Sequence, residues 1–232
     1  MHKYLSLWLS CLLFPAFSFA QSDWQLVWSD EFDTDGPPDS SVWNFEQGFA
    51  RNEEAQWYQS DNAVCKGGCL VIEARKENNR RNPGYESGSR DWRKSREFIG
   101  YTSSSVNTAG KKEFLYGRFE VRARIPVAKG AWPAIWMLPE GAAWPSGGEI
   151  DIMERLNNDS IAYQTVHSHY TYTLGIKDHP VSHSTGVIHP DRYNIFAVEM
   201  YPDSLSFYVN DVHTFTYPRI QTKEEGQFPF TQ

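Results

Sequence analysis

The chain is written in short stretches where apolar and polar residues take turns. From Arg118 to Ile125 the order is Arg-Phe-Glu-Val-Arg-Ala-Arg-Ile, with an apolar side chain at every second position. That is the period of a strand with one buried face. Strand-like runs recur at 25–29, 69–75, 103–108, 116–125, 131–138, 148–154, 161–169, 193–201, 204–209 and 212–217. Gly, Pro, Asn and Asp separate them, and Val209-Asn210-Asp211 predicts a hairpin turn. Long helical periodicity is absent. Many short strands with turn signals between them predict an all-β sandwich. No internal repeat or second domain is visible. The polar stretch 76–96, with Asn78-Asn79, Pro83-Gly84 and Ser87-Gly88-Ser89, reads as a long loop beside a groove.

One of these runs breaks the alternation in an informative way. Residues 148–154 are Gly-Glu-Ile-Asp-Ile-Met-Glu. Strand geometry puts Glu149 and Asp151 on one face and Ile150 and Ile152 on the other. A plain strand then sends Met153 to the acid face and Glu154 to the wrong side. One extra residue, a β-bulge near Met153, returns Glu154 to the face of the other two. Three carboxylates so close together cannot all ionise freely. Proteins accept that cost mainly where pKa values must be pushed apart, so that one carboxyl holds a proton while another is an anion. Glycosidic cleavage needs such a pair. Taken alone, an acidic strand face is more often simply solvated.

The residues just upstream change that balance. Gly130 to Pro139 read Gly-Ala-Trp-Pro-Ala-Ile-Trp-Met-Leu-Pro, and Trp132 and Trp136, four apart, share a face of an extended strand. Sugar rings present flat apolar faces that stack on indole, while carboxylates and amides take their hydroxyls. Trp144, just ahead of the acid run, is a third candidate platform. Tryptophan is also a common core residue, which is the plain alternative for all three.

Composition narrows the setting. Lys3, an apolar run from Leu5 to Phe17 and Ser18-Phe19-Ala20 make a secretory leader cut after Ala20. The run is too short for a membrane span. The rest, residues 21–232, suffices for one domain. Loss of Lys3 takes the formal charge from −7 to −8. An acidic chain without basic blocks argues against nucleic acid and anionic membranes as partners. Export makes a disulfide the leading reading of Cys65 and Cys69 in Cys-Lys-Gly-Gly-Cys, clipping a tight turn. A zinc half-site is the rival, and it lacks a second pair.

These motifs together resemble glycoside hydrolase family 16, and within it the laminarinase-type branch, which carries the extra residue (here Met153) that lichenase-type relatives lack. The likeness extends to Trp28-Ser29-Asp30-Glu31-Phe32, to Arg51-Asn52-Glu53-Glu54-Ala55-Gln56-Trp57-Tyr58 and to Tyr116-Gly117-Arg118-Phe119-Glu120-Val121-Arg122. It implies a β-jelly-roll of two antiparallel sheets with a substrate groove across the concave one. It implies retaining endo-hydrolysis of β-1,3- or mixed-linkage β-1,3-1,4-glucan, with Glu149 as nucleophile, Glu154 as general acid/base and Asp151 tuning both. Trp132 and Trp136 match sugar-stacking positions, Asn52 and Glu53 or Glu54 a polar wall, and His167 a cleft histidine. No cofactor is required, and the expected partner is the polysaccharide alone, met by a secreted or periplasmic monomer. Family members typically continue past Gln232 with another core strand, so a missing C-terminal strand is expected. The structural Ca²⁺ of the family uses backbone carbonyls near the start and an Asp near the end, which would fall in that part. A galactan substrate and a non-catalytic carbohydrate-binding sandwich are the alternatives.

Overall fold

The computed structural model describes residues 24–231; the expected leader, with Cys11 inside it, lies outside them. The first half of the chain holds β1 (Asn44–Phe45), β2 (Gln56–Tyr58), β3 (Ala63–Cys65), β4 (Leu70–Ile72), β5 (Arg75–Arg81), β6 (Phe98–Ser103), β7 (Val106–Asn107) and β8 (Gly117–Ala123). The second half holds β9 (Ala134–Met137), β10 (Glu149–Glu154), β11 (Ile161–His167), β12 (His183–Val187), β13 (Asn194–Tyr201), β14 (Ser204–Val209) and β15 (Val212–Pro218). Among the described residues, helical structure is limited to a 3-10 turn at Ser60–Asn62, one α-helical turn, α1 (Trp92–Ser95), and a π-helical turn at His169–Thr173.

Two antiparallel four-stranded sheets make the sandwich, one in the order β12-β11-β10-β9 and the other β15-β14-β13-β8. Alternation explains their packing. β14 alternates half-buried and buried positions from Ser204 to Val209, and β11 does so from Ile161 to His167. The inward residues form one core: Ile150, Ile152, Met153 and Val166 from the first sheet meet Phe196, Val198, Leu205, Phe207 and Tyr217 from the second. Each such side chain taken fully from water contributes about 1.5–3 kcal/mol. The predicted turn joins β14 to β15, with Asn210 at φ +52° and Asp211 at φ +61°, the twist a two-residue hairpin requires. Smaller sheets, β2-β6-β5, β3-β4 and β1-β7, flank the sandwich, and β2 runs parallel to β6.

Three expectations need correction. Residues 76–96 are not one loop: Arg75–Arg81 pairs with Phe98–Ser103, and α1 follows, capped by Asp91, whose carboxylate accepts from Arg93 N at 3.0 Å. This ribbon is largely exposed, so no apolar face marked it. The run 25–29 is not a strand. Its strap is held by side chains instead, with Trp28 packed on Trp43 and Phe114, and Trp43 Nε1 donating to Asp30 at 2.7 Å. Cys65 and Cys69 are free thiols. Cys65 pairs with Leu70, and Lys66 N donates to Cys69 O one step further round the turn. Neighbouring positions in a hairpin point to opposite faces, so Cys65 is buried while Cys69 Sγ lies 3.3 Å from the Tyr193 hydroxyl.

Candidate active site

The acid run is the third strand of the first sheet, and its bulge is real. Asp151 stands opposite Thr165 and Glu154 opposite Tyr163, so a three-residue step on β10 meets a two-residue step on β11. On the other side Asp151 faces Trp136 and Met153 faces Ile135. Ile152 and Met153 are both buried in the core. Glu149, Asp151 and Glu154 are thereby left on the outer face. A bulge leaves backbone groups without ladder partners. Gln164, itself fully buried, meets that need: its Nε2 donates to Ile152 O at 2.9 Å, and Thr214 Oγ1 donates to its Oε1 at 2.6 Å. Beyond the bulge, the buried Arg155 guanidinium donates to the carbonyls of Asp159, Ile125 and Pro126 at 2.8–3.2 Å and pins the strand end.

Two indoles hold the two outer carboxylates. Trp132 Nε1 donates to Glu154 Oε1 at 2.7 Å, and Trp144 Nε1 donates to Glu149 Oε2 at 2.6 Å. Both rings are about half exposed, at 51% and 48%, which leaves apolar surface open to a ligand. Asp151 between them is buried, and His167 Nε2 lies 3.3 Å from its Oδ2. His167 is also the register partner of Glu149.

Burial raises the pKa of Glu149, and the charge of Asp151 adds to it; the Trp144 bond, His167 and Arg51 oppose the rise. Glu154 is raised for the same first two reasons, with Glu149 as a further raising charge and no arginine in opposition. The hydrogen bond to Asp151 raises His167 above 6.5, against its burial.

Trp136 faces the groove, as its pairing with Asp151 requires, but one side of its ring is covered by the Arg51 guanidinium, 5.1 Å from the ring centroid. Arg51 also lies over Tyr58, 5.6 Å from that centroid, and is ion-paired with Glu46. Tyr58 OH and Gln56 Nε2 both donate to Glu54 Oε2, at 2.9 and 2.8 Å. The early groove segment thus presents Arg51 and Glu54. Asn52 is exposed in the turn at φ +52° and gives no hydrogen bond to the acid row. Arg51 stands within the motif read from the sequence, but its stacking on Trp136 is a tertiary event. The groove face continues across β11 onto β12, where a cavity of about 360 Å³ is lined by Tyr163, Thr165, His167, His183 and Thr185 among others. No group of three or more His, Cys, Asp and Glu side chains among the described residues could hold a metal ion.

The chain is similar to known proteins. The profile described as "Glycosyl hydrolases family 16" matches residues 50–232. A beta-glucanase of Rhodothermus marinus is 39% identical over 207 residues, 84% of this chain and 66% of that protein. A keratan-sulfate endo-1,4-beta-galactosidase of Sphingobacterium multivorum is 31% identical over 226 residues, 95% of this chain and half (50%) of that protein. The X-ray structure of the laminarinase from Rhodothermus marinus superposes with a TM-score of 0.74 at 34% identity, covering 90% of this chain and 82% of that one. The bulged acid strand, the sandwich that carries it and the profile spanning both place this chain in glycosyl hydrolases family 16.

Proposed function

We propose that the chain is a secreted, endo-acting, retaining β-glucan hydrolase that cleaves β-1,3- or mixed-linkage β-1,3-1,4-glucan. The observation that carries this reading is the row Glu149, Asp151, Glu154 on one sheet face, its outer members each held by an indole N–H and each raised in pKa. In the first step Glu154 gives its proton to the glycosidic oxygen as the bond to the anomeric carbon breaks. Glu149 attacks that carbon from the other face and forms a glycosyl ester. With Glu149 no longer an anion, the pKa of Glu154 falls, and it takes a proton from the water that attacks the ester. Two inversions restore the original configuration and return both carboxyls to their starting states. Asp151, held by His167, stays beside both throughout. Trp132, Trp136, Trp144 and His167 line the sugar subsites, with Asn52 and Glu54 as a polar wall. Residues 1–20 act as the export leader, no metal enters the chemistry, and the enzyme works as a monomer.

Similarity to enzymes acting on β-glucan supports the substrate class. The test is Glu149→Gln. Release of reducing sugar from laminarin and barley β-glucan should vanish while binding persists, and wild-type turnover in that variant refutes the assignment. A second reading, a galactan substrate, is favoured by the likeness to the keratan-sulfate galactosidase over 95% of this chain. Digesting laminarin, barley glucan and keratan sulfate in parallel separates the two.

A further inference from the structure

One aromatic ring links both halves of the acid row without being bonded to either. Tyr172 sits on the π-helical turn His169–Thr173, which leaves β11 just after His167. Its ring centroid lies 4.5 Å from that of Trp144 and 5.9 Å from that of His167, edge-on to both, at 63° and 79°. These are the spacings and angles of attractive aromatic pairs. Trp144 is the indole bonded to Glu149, and His167 is the imidazole beside Asp151. Trp144 comes from the loop between β9 and β10 and is half exposed. Without a neighbour against its ring, its N–H has little to keep it aimed.

The turn carrying Tyr172 is firmly anchored. Ser168 N donates to Thr171 Oγ1 at 2.9 Å, Thr171 N to Ser168 Oγ at 3.3 Å, and Thr171 Oγ1 to Val166 O at 2.9 Å. Tyr170, buried beneath, donates its hydroxyl to His179 O at 2.7 Å. Gly226 closes against the same turn, where a Cβ would stand 2.8 Å from His169 Cβ. A single π-helical turn is uncommon, and such turns recur at functional sites. Here it puts a large ring, 53% exposed, in the corner between Trp144 and His167.

We propose that Tyr172 is a positioning residue, whose ring braces Trp144 against Glu149 and His167 against Asp151. The bracing stands on geometry alone; its effect on turnover rests on the function proposed above. The groups facing Glu149 are Asp151 and Glu154 on its own strand, His167 on β11 and Arg51, itself paired with Glu46. Loss of the Trp144 bond removes one of the influences that hold the Glu149 pKa down.

The experiment compares wild type, Tyr172→Ala and Tyr172→Phe by two readouts. The first is the indole N–H resonance of Trp144 in ¹⁵N-tryptophan-labelled protein, assigned with Trp144→Phe; the other indole resonances report that each variant is folded. The second is kcat and KM on laminarin across pH. Tyr172→Ala should shift the Trp144 resonance upfield and lower kcat about tenfold to a hundredfold, the cost of a reacting group misplaced by about an ångström. Its acid limb should move to higher pH. Tyr172→Phe keeps the ring and should recover most of both losses. An unmoved Trp144 resonance in Tyr172→Ala overturns the proposal. So does a loss confined to KM, or a Tyr172→Phe as impaired as Tyr172→Ala, since each makes Tyr172 a sugar contact through its hydroxyl. If wild type releases no sugar from any β-glucan, the function fails while the indole comparison still decides the bracing.

Discussion

Glu149 and Glu154 are the same residue type on the same strand, and their neighbours set them apart. Arg51 opposes the raised pKa of Glu149, whereas Glu149 itself adds to that of Glu154. A carboxyl raised above 4.5 in the folded chain binds its proton more tightly there than when unfolded. Stability therefore falls as pH rises from the unfolded value through the folded one, and above it the whole penalty remains. Glu154→Gln removes that penalty and keeps an oxygen to accept from Trp132. Its Tm should exceed that of wild type by about 2 °C at pH 7, allowing for solvent screening of a half-buried group. The gain should shrink to nothing near pH 4; a lower Tm at pH 7 contradicts the argument. His167 runs the same way in both proteins. Its pKa is raised, so its stabilisation is full below 6.5 and lost as pH climbs through the folded value. At this scale the sequence made legible which three carboxylates share a strand face and which indoles lie beside them. Arg51, Gln164 and Tyr172 went unseen, since each acquires its role only by packing against something distant in the chain.

At the scale of the element, the bulge in β10 is an insertion that leaves its flanks in place. Asp151 and Glu154 keep direct partners on both β9 and β11, and the extra residue lies between them. Deleting Met153 should therefore close the strand into plain alternation, with Ile152 opposite Gln164 and Glu154 still opposite Tyr163 and Ala134. The acid row survives on the groove face, and so should part of the laminarin hydrolysis. What is lost is a side chain only 1% exposed, worth about 2–5 kcal/mol. Inserting an alanine after Met153 adds a step that nothing absorbs and turns Glu154 toward the core. Circular dichroism and a reducing-sugar assay on both variants check this: a folded but inactive deletion, or an active insertion, shows that facing is not what the bulge secures. The strand and its bulge were legible because apolar and acidic residues alternate there and then slip. β12, His-Ser-Thr-Gly-Val, was not, since its apolar Val187 is exposed and its one buried position is a glycine.

Across the whole molecule, the sandwich was legible as a class because strands such as β11 and β14 alternate so regularly, while the flanking strand β5, exposed along most of its length, left no apolar face to read. One tie between the site and the far end of the described chain is also one that no strand pattern announces. Gly148, which opens the acid strand, has φ +90°, and a Cβ there would stand 2.5 Å from Phe230 Cε1 and 2.9 Å from Pro229 Cγ. Phe230 is part of the core, edge-on to Phe228 at 5.3 Å and to Tyr217 at 6.5 Å. The segment 228–230 therefore seals the core directly beneath the residue that aims Glu149. Gly148→Ala pays for both the left-handed backbone and the clash, about 2–4 kcal/mol. Phe230→Ala opens a cavity, about 3–5 kcal/mol. In the double variant the cavity admits the new methyl group while the backbone strain persists, so the two costs should fall short of their sum by about 1–2 kcal/mol. Urea unfolding of the four proteins measures that coupling. Strict additivity means that Phe230 does not confine Gly148, and that the acid strand is aimed by its own sheet alone.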